Sequence, residues 1–298
     1  MSPAGRRRSP RGATAGAQAP TLGALIGALE ALYPLARAED WDRVGLVLGV
    51  EDERVARVLL AVDPTVAVAR EASAHDLLIS HHPLLLRGAS ALPASTGKGA
   101  VATTLLRSGT ALWCGHTNVD RSRAGTASAL VTALDLQDAA PLVAPGAAED
   151  GLLGLGAIGE LPEPMPIEEL AARIDALLPA TIQGARFTGE PQRMIRTLAL
   201  CPGAGDSLLD LVRTTAADAY LTSDLRHHTA LEHLEASADQ TEVPALLDVP
   251  HWAAESLWLP LLREELLRIA AEHGWELDVQ ISTLRTDPWS GARSHGCT

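Results

Sequence analysis

The sequence predicts an α/β protein made of two related α/β units, each with a mainly parallel mixed sheet, the second inserted into the first. Three observations predict it. Short apolar runs alternate with helix-length segments, the pattern of strands joined by crossover helices. An Ala/Pro/Gly-rich stretch from Asp135 to about Gly154 interrupts the alternation, which then resumes. His and Glu residues near the C-terminus complete a set begun near the N-terminus, so the first unit must close after the second. The expected divisions are a disordered tail over 1–20, a first unit over 21–135 plus 243–284, an inserted unit over 136–242, and a loose C-terminal tail over 285–298.

Leu and Ile recur at helical spacing from Thr21 to about Ala36. Val55 to Val62 reads as a buried strand, Pro64 opens a helix through about Ser73, and Leu77 to Ser80 is a short strand. A helix over about Gly99 to Arg107 leads to a strand, Thr110 to Cys114. In the second unit, a strand near Gly156 to Glu160 precedes a helix, Ile167 to Leu178, opened by Pro166. Strands follow at Thr197 to Cys201, Asp218 to Thr222 and Ala245 to Val249. One long helix is expected from His251 to about Glu272, and a closing strand within Trp275 to Ser282.

Composition narrows the class. The chain carries a net charge of −13, although Arg6, Arg7, Arg8 and Arg11 crowd its first residues. The acidic body repels phosphates, so nucleic acid is not an expected partner. Cys114, Cys201 and Cys297 are odd in number and far apart, which argues against a disulfide framework or a zinc ribbon and fits the reducing cytoplasm. The N-terminal arginines are not followed by an apolar core, as a signal peptide requires, and no apolar run is long enough to cross a membrane.

Three segments carry chemistry, each directly after an apolar strand. Ser80-His81-His82-Pro83 offers two neighbouring imidazoles. Adjacent residues of an extended chain point in different directions, which suits two metals better than one. Gly115-His116-Thr-Asn-Val-Asp120 offers an imidazole and a carboxylate. His251-Trp-Ala-Ala-Glu255 places both groups one helical turn apart on a single helix face. Singly, each has an ordinary explanation: a hydrogen-bonded loop histidine pair, an Asx turn, or a surface His–Glu pair. Together they bring ligands to what should be one sheet edge, where α/β proteins place their sites. Imidazole with carboxylate suits Zn, Fe, Mn, Ni or Co. Asp224, His227 and His228 lie past another strand end, where they could line the cavity or start a solvated helix. Asp42 could reach the site from outside the ligand set. Pro202-Gly-Ala-Gly205 lacks a full phosphate-binding pattern and reads as a tight turn.

Trp41-Asp-Arg-Val-Gly-Leu-Val-Leu-Gly49, Ile79-Ser-His-His-Pro-Leu84, His116-Thr-Asn-Val-Asp120, Gly154-Leu-Gly-Ala-Ile-Gly-Glu-Leu-Pro162, Asp218-Ala-Tyr-Leu-Thr222 and His251-Trp-Ala-Ala-Glu255 occur in this order. Together they resemble the NGG-interacting-factor-three-like family of dinuclear-metal hexameric proteins, also called GTP cyclohydrolase type-two homologues, over about 21 to 284. The resemblance implies that His81, His82, Asp120, His251 and Glu255 hold two divalent ions per chain, with His116 beside them. It also implies a homohexamer, a trimer of dimers with the sites facing an internal cavity. Arg43, Asp224 and Ala157 depart from the family's expected Asn, Glu and Arg. Two functions fit: a metal-dependent hydrolase of a small nucleotide-like or heterocyclic substrate, with His116 or His228 moving protons, or a metal-binding scaffold or metal-delivery protein without turnover.

Overall fold

A computed structural model describes residues 18–144 and 154–292. The expected tails therefore lie outside the described residues up to 17 and from 293, as do His295, Cys297 and residues 145–153 of the interrupting stretch. Residues 18–20 are described, and Ala19 and Pro20 are held against the fold. Ala19 is buried, its carbonyl accepts from Arg54 Nη1 at 2.7 Å, and Val55 N donates to Pro20 O at 3.0 Å.

The first half runs α1 (Leu22–Leu32), β1 (Gly45–Leu48), β2 (Arg57–Ala61), α2 (Val66–Ala72), β3 (Leu77–Ser80), α3 (Gly97–Ser108), β4 (Ala111–Cys114), α4 (Thr117–Asp120) and α5 (Thr126–Leu134). Side chains fix the helix starts. Thr21, Thr65 and Thr96 each accept from a backbone N–H three residues on, satisfying donors that a helix leaves unpaired. Gly109, with φ 70°, ends α3 in the left-handed conformation that a side chain would resist.

The second half runs β5 (Gln137–Ala140), β6 (Ala157–Pro166), α6 (Ile167–Leu177), β7 (Arg186–Phe187), β8 (Met194–Ala204), α7 (Leu209–Val212), β9 (Ala219–Ser223), α8 (His227–Leu234), β10 (Ala245–Asp248), α9 (His251–Ser256), α10 (Trp258–His273) and β11 (Asp278–Ile281). The long helix expected from His251 is thus divided at Leu257. Pro260 accounts for the division: it has no N–H to give the Ser256 carbonyl, and its ring crowds that carbonyl.

Two mixed sheets result. The first has the order β1-β4-β3-β2-β11, with only the β1–β4 pairing antiparallel. The second has the order β5-β6-β8-β9-β10-β7, in which β8, β9 and β10 run parallel and the outer strands antiparallel. One boundary differs from expectation. The sequence places β10, within residues 243–284, in the first unit, yet it pairs with β9 in the second sheet. The chain returns to the first sheet through α9 and α10, and only β11 completes it.

Both faces of the first sheet are covered. Leu22, Leu25 and Leu29 of α1 and Leu262 and Leu266 of α10 pack on one, and Val68 of α2 and Leu105 of α3 on the other. The second sheet is covered on one face by α5, α6 and α9. Trp252 touches the cores of both sheets, so α9 sits at their junction.

With few aromatics, one buried knot matters for the site. Trp258 Nε1 donates to Tyr33 Oη at 3.1 Å, Tyr33 Oη donates to Ala124 O at 2.8 Å, and Asn118 Nδ2 donates to Tyr33 O at 2.9 Å. This ties α1 and α10 to the loop carrying His116 and Asp120. Tyr33→Phe leaves the Trp258 N–H and the Ala124 carbonyl unpaired, and is expected to cost about 1–3 kcal/mol in urea denaturation; wild-type stability would show that the knot bears nothing.

Candidate metal centre

The site lies where the carboxyl edges of the two sets of parallel strands face each other. His81 and His82 follow β3, Gly115 and His116 follow β4, and Asp120 ends α4. From the second sheet, Asp224 follows β9, and α9 directly after β10 carries His251 and Glu255.

Glu255 is the centre. Its side chain is buried, and three imidazoles converge on it: His251 Nε2 at 2.8 Å and His81 Nε2 at 3.4 Å from Oε1, and His82 Nε2 at 3.0 Å from Oε2. His81 Nε2 also lies 3.6 Å from Asp120 Oδ1, which accepts from Thr126 Oγ1 at 2.5 Å. His116 stands beside them, its ring 5.3 Å from that of His81 and 5.6 Å from that of His82. Among the described residues, two groups could hold an ion, with ligand atoms within 4.8 Å of one another: His81, His82 and His116, and His82, His251 and Glu255. His82 is common to both.

Each converging imidazole is held from behind. His81 Nδ1 lies 2.9 Å from Gly115 O, His82 Nδ1 2.7 Å from Asp63 Oδ1, and His251 Nδ1 2.7 Å from Asp224 Oδ2. A carbonyl or carboxylate oxygen can only accept, so Nδ1 carries the hydrogen and the Nε2 of a neutral ring presents a lone pair inward. Burial leaves His81 Nε2 and Glu255 Oε2 without any hydrogen bond of acceptable geometry, despite their close neighbours. Inward lone pairs and orphaned buried acceptors suit a cation better than they suit one another.

Electrostatics agree. Burial disfavours a charge on His81, but the carboxylates of Glu255 and Asp120 raise its pKa above the ordinary value. The same opposition raises His82 further, through Glu255 and Asp63, and pushes His251 up to about 10. Glu255 goes the other way. Burial opposes its ionisation, yet the surrounding imidazoles hold it well below the usual carboxylate range. Asp120 is raised, burial outweighing the help of His81. Without a cation, protons on histidine neutralise the buried carboxylate.

All five expected ligands therefore meet, Asp120 by its approach to His81. Asp42 does reach the site: it accepts from His116 Nδ1 at 2.9 Å and from Thr117 N at 3.0 Å. Burial opposes its charge, but the hydrogen bonds of His116 and Thr117 hold its carboxyl far below the ordinary range. His228 does not join. It is exposed on the first turn of α8, and its ring meets that of His227 at 5.1 Å. The group from this strand end that reaches the cluster is Asp224, whose left-handed backbone (φ 58°) turns it toward His251. Asp63 escaped notice in the sequence, although it too lies just past a strand end.

Gly203, near the end of β8, has φ 79°, and a Cβ there would lie 2.7 Å from Glu255 Oε1. Gly203→Ala is expected to lower stability by about 1–2 kcal/mol from backbone strain alone and to displace Glu255. An unchanged denaturation midpoint would show that the cradle is slack.

Similarity to known proteins coincides with this geometry. A family model for DUF34/NIF3 (NGG1p interacting factor 3) matches residues 20–288. A Streptomyces coelicolor protein called GTP cyclohydrolase 1 type 2 homolog is 46% identical over 273 residues, covering 91% of this chain and 94% of its own length. A Mycobacterium tuberculosis protein of the same name is 31% identical over 373 aligned positions, covering 90% of this chain and 96% of its own. Among solved structures, a Bacillus cereus protein related to NIF3 superposes with TM-score 0.83 at 21% identity, covering 92% of this chain and all of that one. A hypothetical Staphylococcus aureus protein superposes with TM-score 0.81 at 27% identity over the same share. The chain belongs to the DUF34/NIF3 (NGG1p interacting factor 3) family.

Proposed function

We propose that this protein is a dinuclear-metal-dependent hydrolase of a small nucleotide-like or heterocyclic substrate, with His81, His82, Asp120, His251 and Glu255 as ligands to two divalent ions. The observation that carries the reading is the convergence of three imidazole nitrogens on the buried Glu255 carboxylate, each ring held from behind by an acceptor. Glu255 presents one oxygen toward His81 and His251 and the other toward His82, as a shared ligand would. Imidazole and carboxylate donors suit Zn, Fe, Mn, Ni or Co. Such ions supply Lewis acidity and activate water at neutral pH.

The chain's own groups supply the rest. Asp42 fixes the His116 ring through Nδ1, leaving its Nε2 as the atom to take a proton from water or return one to a leaving group. His116 takes this role because its ring lies beside those of His81 and His82, whereas the ring contact of His228 is with His227. Trp41, 54% exposed, stands edge-on to His116 at 5.9 Å. An exposed indole beside the proposed ligands offers a planar heterocycle a face to stack on.

The name carried by the Streptomyces and Mycobacterium relatives makes GTP the first substrate to try. Purified metal-loaded protein should turn over GTP or another member of a nucleotide and phosphodiester panel, and Asp120→Ala should abolish it. Metal-loaded protein inert toward the whole panel would favour the metal-delivery reading. Asp42→Asn should lower kcat about 10²-fold with little change in metal content; unchanged kcat would remove His116 from proton transfer. No helix among the described residues is long and apolar enough to cross a membrane. We propose a cytoplasmic homohexamer, a trimer of dimers, checked by solution mass.

A further inference from the structure

We infer that Thr286, in the segment after β11, is a positioning residue for the ion held by His82, acting through Asp63. The inference rests on the metal reading above and adds a residue to it from the far end of the chain.

After Ile281 the backbone leaves regular structure and runs beside the carboxyl end of β2. Ser282 N donates to Leu60 O at 2.8 Å, and Ser282 Oγ donates to Glu71 Oε2 at 2.5 Å. The segment then places Thr286 Oγ1 to donate a hydrogen bond to Asp63 Oδ2. The other oxygen of that carboxylate, Oδ1, accepts from His82 Nδ1 at 2.7 Å. One carboxylate is thereby divided between a hydroxyl and an imidazole. Burial opposes its charge, yet His82 and Thr286 keep its pKa below the ordinary value.

The three imidazoles that converge on Glu255 differ in what holds them. His81 leans on a backbone carbonyl, which cannot rotate. His251 leans on Asp224, whose side chain is 60% exposed and whose described hydrogen bond is to His251 itself. His82 leans on Asp63, and Asp63 is clamped in turn by Thr286, 223 residues away in sequence. Without that clamp the Asp63 carboxylate can turn about its terminal torsion, and the His82 ring loses its fixed direction. Partners of this kind orient a ligand and raise its basicity. The expected loose tail thus has, at its second residue, a contact that reaches a ligand.

The test titrates Zn²⁺ into metal-stripped full-length protein against a chromophoric chelator that resolves two binding steps. Thr286→Val should weaken one step by about 10–100-fold and leave the other within about twofold. Thr286→Ser should restore it. Asp63→Asn should reproduce the defect, and the double variant should be no worse than Asp63→Asn alone, because both substitutions break one chain of contacts. Wild-type affinity in Thr286→Val, equal weakening of both steps, additive losses in the double variant, or failure of Thr286→Ser to restore binding would each overturn the assignment. Should Thr286→Val fail to fold, Thr286→Ala makes the same test, and wild-type affinity there would overturn the assignment. A wild-type chain that binds no Zn²⁺ would instead refute the metal reading itself.

Discussion

Glu255→Gln is expected to empty at least one of the two ion positions, with affinity falling by about 100-fold or more. The amide keeps the shape of the side chain but removes the charge on which His81, His82 and His251 converge. Changes in partners outside the ligand set cost about 10–100-fold in metal affinity, so loss of a shared ligand should exceed that range. The fold should survive at neutral pH. The histidines can release their protons once the carboxylate charge is gone, which avoids a buried unpaired charge costing about 3–5 kcal/mol. Below about pH 6 that escape closes, and the variant should unfold at lower denaturant than wild type. Metal content by mass spectrometry, measured beside wild type, reads the first effect. Two tightly held ions in Glu255→Gln would remove Glu255 from the ligand set.

Stripping the metal should make stability strongly pH-dependent in a stated direction. His251 has a pKa near 10 in the folded, metal-free cluster against 6.5 as its ordinary value. Its contribution is therefore complete below about pH 6.5 and is lost as pH rises toward 10. His81 and His82 shift in the same direction. Glu255 is depressed from 4.5, so its contribution is present above pH 4.5 and is lost as pH falls. The metal-stripped protein should then be most stable between about pH 4.5 and 6.5 and weaken by roughly 3–4 kcal/mol by pH 10 from His251 alone, allowing for its partial exposure. Loaded protein should vary much less, because the ions displace those protons. Urea denaturation at pH 6 and pH 9.5, with and without chelator, separates the cases. A metal-stripped protein that gains stability across this interval would show the cluster wrongly described.

Much of this site is legible in the sequence because strands and ligands are adjacent there. His81 and His82 follow β3 directly, and His251 and Glu255 open the helix after β10, so apolar runs mark where each proposed ligand lies. What was not legible depends on contacts distant in sequence. Asp63 lies past a strand end like the ligands, but nothing local says that it faces His82 or that Thr286 will clamp it. His228 and Asp224 lie just beyond the same strand, and only the left-handed turn at Asp224 decides which reaches the cluster. The sheet membership of β10 is not legible for a related reason: a four-residue buried strand has the same apolar pattern in either sheet, and pairing with β9 is settled by register across the fold. Helix α5 has a local signal of its own, since Ala127, Leu130, Val131 and Leu134 recur at helical spacing and are buried together.

Glu255 is proposed to lie between two ions. Anomalous diffraction from crystals of protein purified without added metal tests it most directly. Two anomalous peaks per chain are expected, about 3.5–4 Å apart, both beside the Glu255 carboxylate and within the ring of His81, His82, Asp120 and His251. A single peak, or peaks away from Glu255, would contradict it.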